Sequence, residues 1–344
     1  MTRPLLASLC ALCALCLLAC GGGKPVARQD EQPTGPDFSA DSALAFCQAQ
    51  CDFGPRVMNS AAHDRCAAWI ADAFGRYGCE VQLQHATLRG YDGTPLRATN
   101  IIATRRSADT AAAGPRPHLL VCAHYDSRPW ADNDPDPANH RSPVMAANDG
   151  ASGVAVMLEL ARLLQQADSA RADVTFVCFD AEDWGTPQWA DSDDGTDTWA
   201  LGAQHWARTY AAAADSAAAN GGGTTADSFD YGILLDMVGG QGATFYQEAH
   251  SLRYAPSVVR RVWQAAAAVG YSGMFPTEQG GMVTDDHVPV NQLAGIPCID
   301  IVPCYPDCEA SSFGPTWHTV SDDMQHLDKT TLKAVGQTLV QLIY

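Results

Sequence analysis

Four apolar segments that alternate with helical patterns constrain the fold of this chain more than any other feature. The segments are 118–123, 174–179, 231–238 and 296–302. They lack the regular polar alternation of a half-exposed strand, as is typical of strands that are covered on both faces. Each is therefore predicted to be a central strand of one sheet.

Helical periodicity fills most of the intervals between these strands. Helices are predicted over 38–51, 61–77, 153–164, 199–213, 257–269 and 327–343, and further strands over 81–87 and 100–103. Apolar strands alternating with helices indicate the α/β class. The prediction is a three-layer α/β/α sandwich around a mixed, mostly parallel central sheet. An Ala- and Gly-rich stretch, 211–228, is expected to be a low-complexity surface excursion.

The N-terminus has the pattern of an export signal. A basic start and a short apolar run lead to Cys20, which three glycines follow. Residues 1–20 resemble a bacterial lipoprotein signal, 21–37 a flexible tether and 38–344 a single catalytic domain. The expected location is the bacterial envelope, in the periplasm or at the outer membrane, held only by a lipid anchor. An ordinary secreted protein that happens to carry Cys20 is the alternative.

Charge and cysteine content narrow the function classes. The net charge of −18 argues against nucleic-acid binding, which requires a basic face. Nine cysteines follow residue 20, so at least one is expected to remain unpaired within the chain. Cys304 and Cys308 flank a short loop that could close as a disulfide in an exported protein. A monomer is expected.

Acidic and histidine side chains follow the predicted strands where ligands gather in open α/β sheets. His124 ends one strand, Glu182 and Asp183 follow the next, and Asp236 falls within the third apolar run. Asp149 precedes a helix and His318 lies on a loop. Histidine and carboxylate sets of this kind suit zinc. The pattern therefore predicts a metal site, with one carboxylate free for proton transfer.

Taken singly, several of these residues have structural alternatives. Asp149 lies in an Asn-Asp-Gly turn sequence, and Asp126 could orient His124 without any metal. Asp236 could form an internal salt bridge. The run 285–287 could supply hydrogen bonds to the site or cap the following segment.

Five motifs resemble the zinc aminopeptidase superfamily, peptidase family M28, and more closely its glutaminyl cyclase branch. They lie at 123–129, 179–185, 201–206, 235–239 and 317–319, within a match that covers about 40–344. Trp317 directly before His318, the run 285–287 and the segment 296–300 are the cyclase-like features.

The resemblance implies an enzyme that converts the N-terminal glutamine of peptides or proteins to pyroglutamate and releases ammonia. It implies one zinc ion held by Asp149, Asp183 and His318. Glu182 would be the acid/base, while Asp236 and Asp285 would hold the substrate amine and the proton network. Trp317 would line the substrate pocket with one of Trp184, Trp189 and Trp199, and the residues do not distinguish these three.

A di-zinc aminopeptidase would use nearly the same side chains. His124, Asp149 and Asp236 would hold a second zinc ion, and Glu182 would activate water to release a free amino acid. Ligand identity does not separate the two activities. A third hypothesis is a peptide-binding lipoprotein without catalytic activity.

Overall fold

A six-stranded mixed sheet lies at the centre of the protein. The computed structural model describes residues 33–107, 116–167, 169–190, 198–219 and 228–344. The strands are β1 (Glu80–Arg89), β2 (Pro95–Arg105), β3 (His118–His124), β4 (Asp173–Phe179), β5 (Tyr231–Leu235) and β6 (Cys298–Ile301). The four predicted central strands are present as β3 to β6.

The strand order is β1-β2-β4-β3-β5-β6. The pairs β4–β3, β3–β5 and β5–β6 are parallel, whereas β1–β2 and β2–β4 are antiparallel. The sheet is therefore mixed and mostly parallel, as predicted. Because β3, β4, β5 and β6 run in one direction, the segments that follow them meet at one edge of the sheet.

Helices cover both faces of the sheet. They are α1 (Ala40–Cys51), α2 (Ala61–Arg76), α3 (Ala151–Gln166), α4 (Leu201–Ala219), α5 (Ala249–Tyr254), α6 (Pro256–Ala268), α7 (His287–Gln292) and α8 (Lys329–Ile343). Alternate residues of β3 belong to two different apolar clusters, one on each face of the sheet. Leu119 and Val121 pack with residues of α2, α3, α6 and α8. Leu120 and Cys122 pack with residues of α4 and α7. This confirms the three-layer α/β/α sandwich.

Several predicted boundaries were wrong for local reasons. Residues 211–219 continue α4 instead of starting a surface excursion, because alanine is the strongest helix former; residues 220–227 lie outside the described part. The strand predicted over 231–238 ends at Leu235, before Met237 adopts a φ of 53°. The short helices α5 and α7 are too brief for a periodic pattern, and the sequence did not reveal them.

The folded body begins before residue 38. The backbone N–H of Thr34 donates to Oε1 of Gln341 on α8, with a distance of 2.7 Å. The end of the predicted tether thus packs on the last helix, while 1–32 lie outside the described residues. Cys304 and Cys308 are both free thiols, so the disulfide considered for their loop is not formed. Within the described ranges, no helix is long and apolar enough to cross a membrane.

Gly153 sets how closely α3 approaches the sheet. A Cβ at this position would overlap the carbonyl oxygen of Leu235 and lie 2.7 Å from the Cβ of Ala123. The absence of a side chain therefore allows the first turn of α3 to touch β3 and β5. The position of Asp149, just before this helix, depends on the same contact.

We predict that Gly153→Ala lowers the free energy of unfolding by about 1–3 kcal/mol, because the added methyl overpacks the contact between helix and sheet. Gly75→Ala is the matched control, since Gly75 is exposed on α2 and its Cβ would meet nothing within 4 Å. The control should stabilise the protein by up to about 1 kcal/mol. Denaturant unfolding of both variants measures the change in the free energy of unfolding. Equal changes in the two variants would contradict a close contact between α3 and the sheet at Gly153.

Candidate functional site

The predicted polar residues converge at the carboxyl edge of β3, β4 and β5. His124 is the last residue of β3, and Asp236 directly follows β5. Glu182 and Asp183 come three and four residues after the end of β4. Ala181 and His318 have φ values of 53° and 54°, a left-handed backbone that turns the chain into the site.

Asp149, Asp183 and His318 form a buried group with the geometry of metal ligands. One ligand atom from each lies within 4.8 Å of the others. The Nε2 atom of His318 is 3.3 Å from Oδ1 of Asp183 and 3.7 Å from Oδ2 of Asp149. Oδ2 of Asp183 is buried without a hydrogen-bond partner, which is costly unless a cation or another group satisfies it. The donor set therefore fits a divalent metal ion.

His124, Asp149 and Asp236 form a second group that shares Asp149 with the first. Nε2 of His124 lies 2.9 Å from Oδ1 of Asp149 and 3.3 Å from Oδ1 of Asp236. Asp236 has a partner in His124, so the structure supplies the internal pair considered for it as well as a place beside the metal group. Both groups are thus capable of holding an ion.

Asp126 holds the turn that carries Glu182 and Asp183. Its carboxylate accepts hydrogen bonds from the backbone N–H of Glu182 at 3.1 Å and of Asp183 at 3.2 Å. Its Oδ1 also lies 3.5 Å from Nδ1 of His124. Asp126 therefore faces His124 and the backbone, as in the structural alternative considered for it, and belongs to neither candidate metal group.

Asp322 holds the backbone at Asp149 in the same way as Asp126 holds the turn at Glu182. Its carboxylate accepts from the backbone N–H of Asn148 at 2.8 Å and of Asp149 at 3.0 Å. Burial raises the pKa of Asp322 to about 7, and the nearby Asp149 adds to this effect. Asp322 was not predicted from the sequence, since an aspartate four residues after His318 carries no local signal of its partner.

Asp132 and Arg128 support the other two ligands. Oδ1 of Asp132 lies 3.4 Å from Nδ1 of His318. Arg128 binds both oxygens of Asp132, at 2.8 and 2.7 Å, and its Nη1 lies 3.3 Å from Oδ1 of Asp183. Although burial opposes it, these hydrogen bonds lower the pKa of Asp132. A carboxylate on the second nitrogen of a ligand histidine fixes the ring for metal binding.

A cavity of about 250 Å³ opens beside the first candidate metal group, formed by Asp149, Asp183 and His318, which is called the metal-type group below. Its floor includes Glu182, Asp236 and Asp285, together with Asp149 and His318. Burial raises the pKa of Glu182 well above its usual range, although the nearby His124 opposes this effect. Burial, aided by Asp236, raises the pKa of Asp285 to about 7. These are the conditions under which a carboxyl group can exchange protons near neutral pH.

Aromatic side chains form part of the cavity wall. Trp317 stacks on His318 with ring centroids 3.7 Å apart, and Trp199 lies parallel to the same imidazole at 6.0 Å. Phe313 also lines the cavity. Trp189, predicted as a pocket residue, does not line this cavity: its ring packs on Trp130 and under the guanidinium of Arg141. Trp184 is not part of the wall either.

The run 285–287 places one residue at the cavity and does not cap the following helix with a side chain. Asp285 lines the cavity, whereas Asp286 is the residue before α7 but makes no capping hydrogen bond with its side chain. Three further residues line the cavity and were not predicted from the sequence: Met282, Val283 and Thr284, which precede this run. Their side chains have no distinctive chemistry, and only the fold brings them to the site.

Comparison with known proteins agrees with this geometry. A crystal structure of a glutaminyl cyclase from Bacteroides thetaiotaomicron, bound to N-acetylhistamine, is 42% identical with a TM-score of 0.81, covering 90% of this chain and 99% of that one. A glutaminyl cyclase from Tannerella forsythia is 44% identical with a TM-score of 0.80 and the same coverage.

The curated relatives are more distant and longer. Aminopeptidase YwaD of Bacillus subtilis is 28% identical over 271 residues, covering 76% of this chain and 48% of the relative. The chain spans about half to three fifths of the length of the curated relatives it matches. The family model described as peptidase family M28 matches residues 100–343. This match includes every candidate metal ligand, and the chain therefore belongs to peptidase family M28.

Proposed function

We propose that this protein is a zinc-dependent glutaminyl-peptide cyclotransferase. The observation that carries the proposal is the buried Asp149, Asp183 and His318 group at the base of a small cavity that Trp199 and Trp317 help to wall. The substrates would be peptides or proteins with an N-terminal glutamine. The similarity to two glutaminyl cyclases over nine tenths of the chain supports this assignment.

Zinc is the metal that this donor set favours. One imidazole and two carboxylates leave a fourth position of a tetrahedral site open for substrate. When bound there, the ion would polarise the γ-carbonyl group of the substrate glutamine and make its carbon more electrophilic. The unpartnered Oδ2 of Asp183 supports its place among the ligands.

Glu182 is the proton carrier of the proposed reaction. Its carboxylate takes a proton from the substrate α-amine as the amine nitrogen attacks the γ-carbonyl carbon and closes the five-membered ring. Glu182 then returns the proton to the amide nitrogen, the carbon–nitrogen bond of the side-chain amide breaks, and ammonia leaves. Asp236 and Asp285, on the floor of the same cavity, would hold the amine beside Glu182.

The cavity contributes orientation. Cyclisation requires the glutamine side chain to fold back until its carbonyl carbon reaches its own amine. A cavity of about 250 Å³ lies at or below the small end of ligand sites, and aromatic walls restrict the extended conformers. Holding the two reacting groups together lowers the entropic part of the barrier.

A di-zinc aminopeptidase remains the competing function, and the Bacillus subtilis relative is described as an aminopeptidase. One difference between the two candidate metal groups supports a single zinc ion. In the second group the imidazole of His124 already hydrogen-bonds Asp236 and lies 2.9 Å from Asp149, whereas Asp183 in the first group keeps an unpartnered oxygen. Nε2 of His124 in the second group therefore has carboxylate partners without an ion, whereas Oδ2 of Asp183 in the first group has none.

Export and lipid anchoring through Cys20 are a separate proposal. The basic start, the apolar run and the glycines after Cys20 support it. Fractionation of cells that express the full chain, with and without a Cys20→Ser change, would test the anchor.

The reaction products distinguish the two activities. We expect a peptide with N-terminal glutamine to yield ammonia and a pyroglutamyl peptide of unchanged residue number. Ammonia can be measured with a coupled enzyme and the peptide mass by mass spectrometry. Release of free glutamine and a peptide shortened by one residue would instead establish the aminopeptidase.

Glu182→Gln should lower turnover by at least about 10²–10⁴-fold, because the amide cannot accept the substrate proton. Zinc content, measured by atomic emission, should stay at the wild-type level. Glu80→Gln is the control, since Glu80 is exposed on β1. Activity close to wild type in Glu182→Gln would remove this residue from the role of base.

Metal content tests the proposed stoichiometry. Protein loaded with zinc and freed of excess ion should retain one zinc per chain. Two zinc ions per chain, with one lost in His124→Ala, would favour the aminopeptidase site.

Asp132→Asn should weaken zinc binding by about 10–100-fold, because the neutral side chain no longer orients and polarises His318. Asp136→Asn is the matched control on the same loop. Asp136 is exposed, and Asn can also cap the short 3₁₀ helix Pro137–Asn139 that follows. Zinc affinity is measured by competition with a chromogenic chelator, with thermal unfolding recorded in parallel. Equal zinc affinity in both folded variants would exclude this role for Asp132.

A further inference from the structure

Met282 is an apolar side chain left open at the active-site cavity. It is 66% exposed, the largest value among the large hydrophobic residues in the described part of the chain. It also lines the cavity, beside Val283 and Thr284. Exposed single hydrophobic residues are common on protein surfaces, but this one lies at the cavity where substrate would enter.

The backbone beneath Met282 is held in place by hydrogen bonds. On its N-terminal side, the carbonyl oxygen of Gly281 accepts from the N–H of Ala249 at 2.9 Å. On its C-terminal side, the N–H of Val283 donates to Oε1 of Glu248 at 3.0 Å. Glu248 is itself 2% exposed, and its side chain also accepts from the N–H groups at the start of α5. These hydrogen bonds fix the backbone on both sides of Met282.

The size of the cavity determines which part of a peptide reaches Met282. At about 250 Å³, the cavity accommodates little more than the reacting residue, whose amine and γ-carbonyl must lie at the buried acids and the metal group. Only the peptide chain beyond that residue extends to the open side. Met282 both lines the cavity and is open to solvent, as is expected of a residue that meets this part of the substrate.

We infer that Met282 gives the enzyme a preference for N-terminal glutaminyl peptides whose second residue has a large apolar side chain. This inference rests on the proposed function. An unbranched thioether adapts to differently shaped apolar partners, and its contact with such a side chain removes apolar surface of both from water. A polar second residue gains nothing from this contact and loses part of its hydration.

The test compares two substrates with side chains of similar shape, Gln-Leu-Ala-amide and Gln-Asn-Ala-amide, in the wild type and in Met282→Gln. Glutamine resembles methionine in length and lacks its apolar end. The wild type should favour the leucine peptide in kcat/KM by roughly three- to tenfold, less than a fully enclosed pocket achieves because the contact stays partly open. Met282→Gln should bring the ratio close to one.

Leu83→Asn is the control, because Leu83 is 44% exposed on β1 and does not line the cavity. It should keep the wild-type ratio. An active wild type with equal kcat/KM values, or a Met282→Gln variant with the wild-type ratio, would overturn the role of Met282 and leave the proposed function intact. Release of glutamine instead of ammonia would overturn the proposed function, while the ratio measured from glutamine would still decide the role of Met282. Release of neither product by the wild type would overturn both.

Discussion

Buried carboxylates that accept hydrogen bonds from backbone amides hold this active site together. Asp126 binds the amides of Glu182 and Asp183, and Asp322 binds the amide of Asp149. A turn at the end of a strand has no ladder partners for these N–H groups, so an internal acceptor satisfies them and also defines their positions. Without these contacts, the ligand side chains would lie on unsupported loops. The metal-type group therefore depends on acids that do not themselves belong to it.

The same framework is compatible with both reactions considered for this chain. Asp149 belongs to both candidate metal groups, and Glu182 lines the same cavity as Asp149. A carboxylate in this position can serve an amine nucleophile or a water molecule. The choice between the two reactions then depends on whether the second group, where Nε2 of His124 contacts Asp236, holds an ion, and on the shape of the cavity.

The residues around the cavity divide into those with a sequence signal and those without one. Acids and histidines that follow apolar strands were predictable, because such residues are rarely placed beside a buried sheet without a partner. Trp199 and Trp189 were equivalent in the sequence, yet only Trp199 reaches the cavity. Met282 gave no signal at all, since nothing in its local sequence indicates that it borders a substrate site.

The sequence by itself determined the α/β class, the four central strands and the set of side chains at their carboxyl ends. These follow from local patterns of apolar residues and from the direction of parallel strands. Only the tertiary structure decided that Asp322 supports Asp149 and that Asp132 orients His318. The physical reason is that hydrogen bonds and ion pairs are effective over a few ångströms. The residues that form them are far apart in sequence, and the packing of helices on the sheet brings them within that distance.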